Sequence, residues 1–123
     1  MLENIIKYLK KEKFNTSIED NGVFFEYDYE DAKIPCGYLY DEEQKITRFY
    51  SEIAEFNKET RQEAILVCQL LNQDTALLKF YLSNDNILTA EYYVFGNDMP
   101  VEAVEQVNID LDTIYDTIEP YII

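Results

Sequence analysis

The sequence contains no histidine and no tryptophan, and only three glycines, three prolines and two cysteines among 123 residues. Without histidine, the commonest general base, the Ser–His and Cys–His nucleophile pairs and imidazole metal ligands are all excluded. The glycines stand apart at Gly22, Gly37 and Gly96, so no glycine-rich loop that cradles phosphate can form. Catalysis by paired carboxylates stays open, although with 25 Asp and Glu any one pair is weak support. These absences predict a protein that is not an enzyme and binds no cofactor or metal.

Long apolar runs are missing as well. No stretch approaches the ~18 consecutive apolar residues of a membrane helix. The first residues, 1–7, lack the basic segment, the long apolar run and the cleavage site of a signal peptide, so we expect a cytoplasmic protein. Cys36 and Cys68 have apolar neighbours and no metal-ligand spacing, which favours two buried thiols over a disulfide.

Basic residues are scarce: 10 Lys and Arg stand against 25 Asp and Glu, for a net charge of −15. Such a surface repels phosphate backbones and anionic lipid, so nucleic acid and membrane are not expected partners. The charge is uneven, because residues 1–13 carry four Lys against two Glu, and no basic residue follows Lys79. The acidity serves either solubility or recognition of a basic partner, and the first interpretation is favoured.

What the sequence does contain is a hydrophobic fraction of 47% with eleven Tyr and seven Phe, as expected for one globular domain over residues 1–123. Helical and alternating periodicity predict an α-β-β-β-α-β-β-α order. The strands are predicted over 23–29, 34–40, 45–53, 77–82 and 87–95. The short links between them favour antiparallel pairing.

Three helices complete the predicted order. The first covers residues 2–13 and has a Lys-rich outer face. The second follows a capping-box motif at Thr60–Glu63 and is apolar almost all round over Ala64–Leu71, so it must be covered on most sides, in part by another subunit if one is present. The last begins near Asp98 and Pro100 and carries one apolar stripe: Val104, Val107, Leu111, Ile114, Ile118 and Tyr121.

One pattern in the last helix resembles a calcium-binding loop. Asn108, Asp110, Asp112, Asp116 and Glu119 have the spacing of EF-hand ligands. The sixth position, which requires glycine, is instead Thr113, and the intervening residues continue the apolar stripe. The pattern therefore favours an acidic helix face over a calcium site.

A better candidate site is the face of the sheet that remains once the most apolar side of each strand is assigned to the core. This second face mixes aromatic, aliphatic and isolated charged residues, as protein interfaces do. The alternative is that these side chains only reach water above a well-covered core. The predicted partner-binding residues are Leu39, Arg48, Tyr50, Lys79, Tyr81, Glu91 and Tyr93, with Leu77 and Ile87 beside them.

The centre of the chain resembles the YbjN family, whose fold is that of type III secretion chaperones. The resemblance is clearest in the apolar helix ending in Leu71-Asn72, the strand Leu78–Leu82 and the long strand Leu88–Val94. It implies a two-layer sandwich with helices packed on one face of an antiparallel sheet. It also implies a homodimer that binds another protein without a cofactor, and it transfers no functional residue.

Three functions follow as hypotheses. The leading one is a non-enzymatic protein-binding module, chaperone-like or regulatory, of the YbjN type. The second is an acidic immunity or inhibitor protein that neutralises a basic partner. The third is a small carboxylate-dependent hydrolase, which requires converging Asp or Glu side chains in a pocket.

Overall fold

The computed structural model describes residues 1–29 and 32–118, with side chains for all of these except Tyr115 and Asp116. Tyr121 of the predicted stripe lies outside this part of the chain. The elements in chain order are α1 (Glu3–Lys11), β1 (Ser17–Glu19), β2 (Gly22–Tyr29), β3 (Ala32–Asp41), β4 (Ile46–Glu55), α2 (Arg61–Asp74), β5 (Lys79–Leu82), β6 (Ile87–Phe95) and α3 (Val101–Ile118).

The strands form one antiparallel sheet in the order β1-β2-β3-β4-β6-β5. Buried residues of all three helices and of one sheet face belong to a single hydrophobic cluster. The predicted α+β class, with helices packed on one face of an antiparallel sheet, is therefore confirmed.

The predicted order is correct except for one additional strand, β1. It pairs with β2 across the tight turn at Asp20 and Asn21, with Glu19 opposite Gly22. All three residues of β1 are exposed. Because both faces of β1 meet solvent, the segment has no apolar alternation from which a strand could be predicted.

The core lies between the helices and the covered face of the sheet. Alternate residues of β2 from Val23 to Tyr29 are buried, as the alternation predicts. Tyr38 and Phe49 lie at the centre with no exposed surface, and their ring centroids are 5.1 Å apart. Each fully buried side chain of this size contributes roughly 1.5–3 kcal/mol. The α3 stripe is buried as predicted through its described members: Val104, Val107, Leu111, Ile114 and Ile118.

Helix α2 is buried along one side only. Ala64, Val67, Cys68 and Leu71 face the core. Its other side leaves Ile65, Leu66 and Leu70 exposed at 41%, 60% and 52%. We call these three residues the α2 apolar face. None of the three belongs to the hydrophobic core formed by the residues that the structure describes.

The Thr60 half of the capping box predicted at the start of α2 is not formed. Thr60 is the N-cap residue, but its side chain makes no capping hydrogen bond. Its hydroxyl oxygen instead accepts the backbone N–H of Asn57 at 3.0 Å, while the Asn57 carboxamide oxygen accepts the N–H groups of Glu59 and Thr60. The turn that precedes the helix engages the threonine, because Asn and Thr side chains readily bond to nearby backbone.

Two polar side chains attach β5 to the helices. Asn72 of α2 accepts the N–H of Phe80 at 2.7 Å and donates to its carbonyl at 3.0 Å, which covers this outer edge of the sheet. Asp110 of α3 is 2% exposed, and its carboxylate accepts the N–H groups of Ala76, Leu77 and Leu78 at 2.8–3.0 Å. The segment between α2 and β5 is thereby fixed to α3.

Candidate functional site

The face of the sheet opposite the helices carries the predicted partner-binding residues. Cross-strand pairing places Leu39, Arg48 and Tyr93 in one row. The next row contains Tyr50, Glu91 and Lys79, and Tyr81 follows two residues after Lys79 on the same side. We call this surface the open face. The structure thus brings all seven residues together, and whether they bind a partner stays a prediction.

The two flanking residues behave differently. Ile87 lies at the start of β6, opposite Glu55, and shares the alternation of the open face. Leu77 precedes β5 and lies outside the sheet. Its backbone N–H is bound by Asp110 before the strand begins, and the place of its side chain beside the open face stays a prediction.

Two of the three charged residues predicted on the open face, Arg48 and Glu91, are paired with each other. Arg48 Nε lies 3.3 Å from Glu91 Oε1, and the Tyr81 hydroxyl donates to Glu91 Oε2 at 3.1 Å. Partial burial, followed by the hydrogen bond to Glu91, raises the pKa of Tyr81 to about 12. Tyr81 therefore stays neutral and donates, so Arg48, Glu91 and Tyr81 form a paired network next to the exposed Lys79.

An apolar groove of about 590 Å³ opens beside this network, and its lining includes Phe24, Pro35, Leu39 and Tyr50. The groove depends on Gly37. The Phe24 ring lies directly over this residue, where a Cβ atom would come within 2.8 Å of Phe24 Cδ1. A glycine within a strand thus permits an aromatic ring to lie flat on the sheet.

Two aromatic residues of the open face were missed from the sequence. Phe24 is half-buried and lines the groove, and Phe95 is 82% exposed at the end of β6, with its ring 6.3 Å from that of Tyr93. Phe95 could have been predicted from the sequence, because it lies two residues after Tyr93 in the same strand and so on the same side as Glu91 and Tyr93. The position of Phe24 could be predicted only in part. The alternation of β2 places Phe24 on the side of the sheet opposite Val23, but its position over Gly37 depends on the register between β2 and β3.

The acidic pattern in the last helix does not form a loop. Helix α3 continues through Asn108, Asp110 and Asp112. The carboxylate of Asp110 is directed to the α2–β5 segment, and Asp112 accepts a hydrogen bond from the Tyr27 hydroxyl. The Asp116 side chain and Glu119 lie outside the described residues. The segment is helical through Ile118, as predicted, but Asn108 and Asp110 are 8% and 2% exposed and so do not belong to an exposed acidic face.

Two further properties concern the residues that the structure describes. Among them, no three His, Cys, Asp or Glu side chains are grouped so as to hold a metal ion. None of the helices in residues 1–29 and 32–118 combines the length and apolarity needed to cross a membrane.

The architecture defined above is that of YbjN and of secretion chaperones. YbjN from E. coli matches this chain with a TM-score of 0.62 at 11% identity, over 98% of this chain and 94% of YbjN. A chain of the ExsC–ExsE complex matches with a TM-score of 0.57 at 8% identity, over 89% of this chain and 84% of that one. A chain of the HopA1–SchA chaperone–effector complex matches with a TM-score of 0.54 at 8% identity, over 94% and 87% respectively.

These likenesses confirm the resemblance at the level of the fold. At identities of 8–11% they establish shared architecture and leave individual residues without an assigned role. No protein-family model and no curated protein sequence matches the chain.

Proposed function

We propose that the chain is a non-enzymatic protein-binding module, chaperone-like or regulatory, that forms a single domain over residues 1–123. It acts in the cytoplasm as a homodimer and holds a segment of another protein on the open face. The observation that carries the proposal is the composition of that face: exposed aromatic residues around a single paired charge network. Two of the structures with the same fold are complexes with protein partners, ExsE and HopA1, which supports a binding role.

The open face has the composition of an interface centre. Tyr, Phe and Arg dominate binding surfaces, while unpaired Lys, Glu and Asp are depleted there. Tyr93 and Phe95 are 51% and 82% exposed, and Arg48 is held by Glu91. In a chain of net charge −15, a surface on which Arg48 and Glu91 are paired and Lys79 adds a positive charge is suited to an apolar segment and is poorly suited to a highly basic one.

The groove suggests how such a segment would lie. Phe24, Pro35, Leu39 and Tyr50 supply most of its apolar lining, with polar residues such as Glu26 and Glu52 beside them, and its volume of about 590 Å³ accommodates one or two large side chains. A partner segment anchored there and extended across β4 and β6 would cover Tyr93 and Phe95. Each well-buried aromatic anchor contributes about 2 kcal/mol or more to such complexes.

The test is affinity purification from the native cell with mass-spectrometric identification of bound proteins. The double variant Tyr93→Ala/Phe95→Ala should lose the partner that the unaltered protein captures. Val101→Ala, which shortens a 42%-exposed apolar residue on α3, is the matched control and should retain it. Capture of the same partner at the same yield by the double variant would contradict the proposal.

The homodimer is proposed to form through the α2 apolar face. Ile65, Leu66 and Leu70 lie on adjacent turns of one helix, and a two-fold axis would place two such faces against each other. Leu66→Glu should convert the dimer to a monomer in sedimentation velocity, because it buries an unpaired charge at the interface. Val101→Glu makes the same change outside the α2 apolar face and should leave the dimer intact. A monomeric wild-type protein would contradict this part of the proposal.

The net charge of −15 favours a second candidate, an acidic inhibitor of a basic protein. The two functions differ in their response to salt. A complex held by complementary charge weakens steeply as ionic strength rises, whereas burial of apolar surface does not. Affinity measured between low and high NaCl therefore distinguishes them once the partner is identified.

A further inference from the structure

The centre of the groove on the open face is apolar. Gly37 lies there between its cross-strand partners Phe24 and Tyr50, and all three residues line the groove. Two residues further along β3, Leu39 lies opposite Arg48, whose cation would repel a second one. A partner side chain at the centre of the groove is therefore apolar, and the Leu39 side of it does not favour a basic neighbour.

On the other side of this centre, the lining of the groove carries two carboxylates. Glu26 and Glu52 are both exposed, and the exposed Pro35 lies between them. Pro35 is the cross-strand partner of Glu26, and its carbonyl accepts the hydroxyl of Ser51, the residue before Glu52. Adjacent strands are spaced by ~4.8 Å, so the Cα atoms of the two glutamates are about 10 Å apart. A basic side chain above Pro35 would lie between the two carboxylates.

The charge of these carboxylates is not compensated within the described part of the chain. Among residues 1–29 and 32–118, no Lys or Arg forms an ion pair with Glu26 or Glu52. Lys33, two residues before Pro35, pairs with Asp28 at 3.9 Å instead. The Tyr50 hydroxyl donates to Glu52 Oε1 at 3.1 Å, which holds the carboxylate at the groove without neutralising it. The groove is therefore apolar at its centre and negative on one side only.

The spacing along β3 matches the period of an extended peptide. A strand rises ~3.3–3.4 Å per residue, so the positions of Gly37 and Pro35 are about 7 Å apart. In an extended segment, side chains two residues apart point to the same side at the same distance, and the residue between them points away. An apolar side chain above Gly37 thus places the side chain two residues away between Glu26 and Glu52.

We propose that the segment bound in this groove carries one large apolar residue and, two positions away, a single Lys or Arg. This inference rests on the proposed function of the open face and adds which segment the groove selects. The apolar side chain contacts Phe24 and Tyr50, and the cation is neutralised by Glu26 and Glu52. The alkyl stem of the basic residue packs on Pro35. Within the groove the segment follows β3, and then it continues across β4 and β6.

The test is NMR titration of the full chain with peptides of identical composition and charge. Acetyl-Ala-Thr-Leu-Thr-Arg-Thr-Ala-amide and acetyl-Ala-Thr-Arg-Thr-Leu-Thr-Ala-amide have the proposed spacing in the two chain directions. In acetyl-Ala-Thr-Leu-Arg-Thr-Thr-Ala-amide the two residues are adjacent, so Arg points away from the sheet. The Phe24 ring and Gly37 amide signals should shift saturably. The tighter of the first two peptides should bind about fivefold more strongly than the third, the gain expected for one charge at ~4 Å in water.

Two matched double variants show which carboxylates are responsible. Glu26→Gln/Glu52→Gln should make the spaced and adjacent peptides bind equally, because the cation no longer meets a charge above Pro35. Glu42→Gln/Glu43→Gln removes the same charge from the β3–β4 turn, more than about 20 Å away along β3, where salt screens the interaction. This variant should keep the fivefold preference. All four glutamates are exposed, so both variants should fold.

Equal binding of the three peptides to the unaltered protein would overturn the inference, as would a preference that survives in Glu26→Gln/Glu52→Gln. In both cases the saturable shifts themselves would still support the open face as a binding surface. If none of the peptides shifts the Phe24 signals, the groove accepts no such segment and the inference is overturned as well. Capture of the native partner by the Tyr93→Ala/Phe95→Ala variant then tests the proposed function separately.

Discussion

Replacing Asp110 tests how the fold holds the α2 apolar face and the open face in position. The Asp110 carboxylate is 2% exposed and accepts N–H groups from three consecutive residues between α2 and β5, and it also accepts from Gln106 Nε2 at 3.0 Å. This segment connects the α2 apolar face to Lys79 and Tyr81 of the open face. Replacing Asp110 should therefore destabilise the protein and loosen both surfaces.

The magnitude follows from the number of donors left behind. A hydrogen bond to a charged group contributes about 1.5–3 kcal/mol, and a buried donor left without an acceptor costs about 1–3 kcal/mol. The N–H of Leu78 is buried, while those of Ala76 and Leu77 are only partly buried and can be reached by water. We therefore expect Asp110→Ala to lower the free energy of unfolding by about 4 kcal/mol. Asp110→Asn should lower the free energy of unfolding by about 3 kcal/mol, because the Asn NH2 group is a donor and would face backbone N–H groups that need an acceptor.

Urea denaturation followed by circular dichroism measures both losses. Glu102→Gln, an exposed change in the first turn of α3, is the control and should stay within about 0.5 kcal/mol of the wild type. Hydrogen exchange should show that the amides of residues 76–78 lose protection first. A loss below about 1 kcal/mol for Asp110→Ala would refute the reasoning, since it would mean that the carboxylate and its donors are equally satisfied by water.

Three further predictions concern the sheet and its buried groups. Gly37→Val should displace the Phe24 ring and close the groove at a stability cost of about 1–2 kcal/mol, visible as changed Phe24 ring signals in NMR and weaker partner capture. Burial raises the pKa of the Cys36 thiol to about 12 and holds that of the Tyr38 phenol well above its usual range, so both stay protonated in the folded state. Above about pH 9 the unfolded chain releases these protons while the folded chain keeps them, so the free energy of unfolding should fall as pH rises further. Urea midpoints that do not change up to about pH 11 would contradict this. Cys36 and Cys68 are 4% and 8% exposed, so a thiol reagent should label both slowly in the native protein and fully in urea; rapid native labelling of either would show that its burial is wrong.

The local pattern of the sequence determined which segments are helices and strands and which side of each faces the core. Alternation in β2 and the spacing of three and four residues in α3 are visible in the chain, because each element buries one side and repeats with a fixed period. The same logic placed Arg48, Tyr50 and Tyr93 on one surface, since residues on the uncovered side of neighbouring strands must share a face.

Only the tertiary structure decided which elements meet. It placed β6 beside β4, added the exposed strand β1, left one side of α2 uncovered, and directed Asp110 to a segment more than thirty residues away in the chain. It also turned Thr60 toward Asn57 in place of the predicted cap. These features depend on contacts between residues distant in sequence, or on competition between equally favourable local bonds, and neither leaves a periodic signal. The groove over Gly37 belongs to this second group, because it requires side chains from several elements to meet at one point.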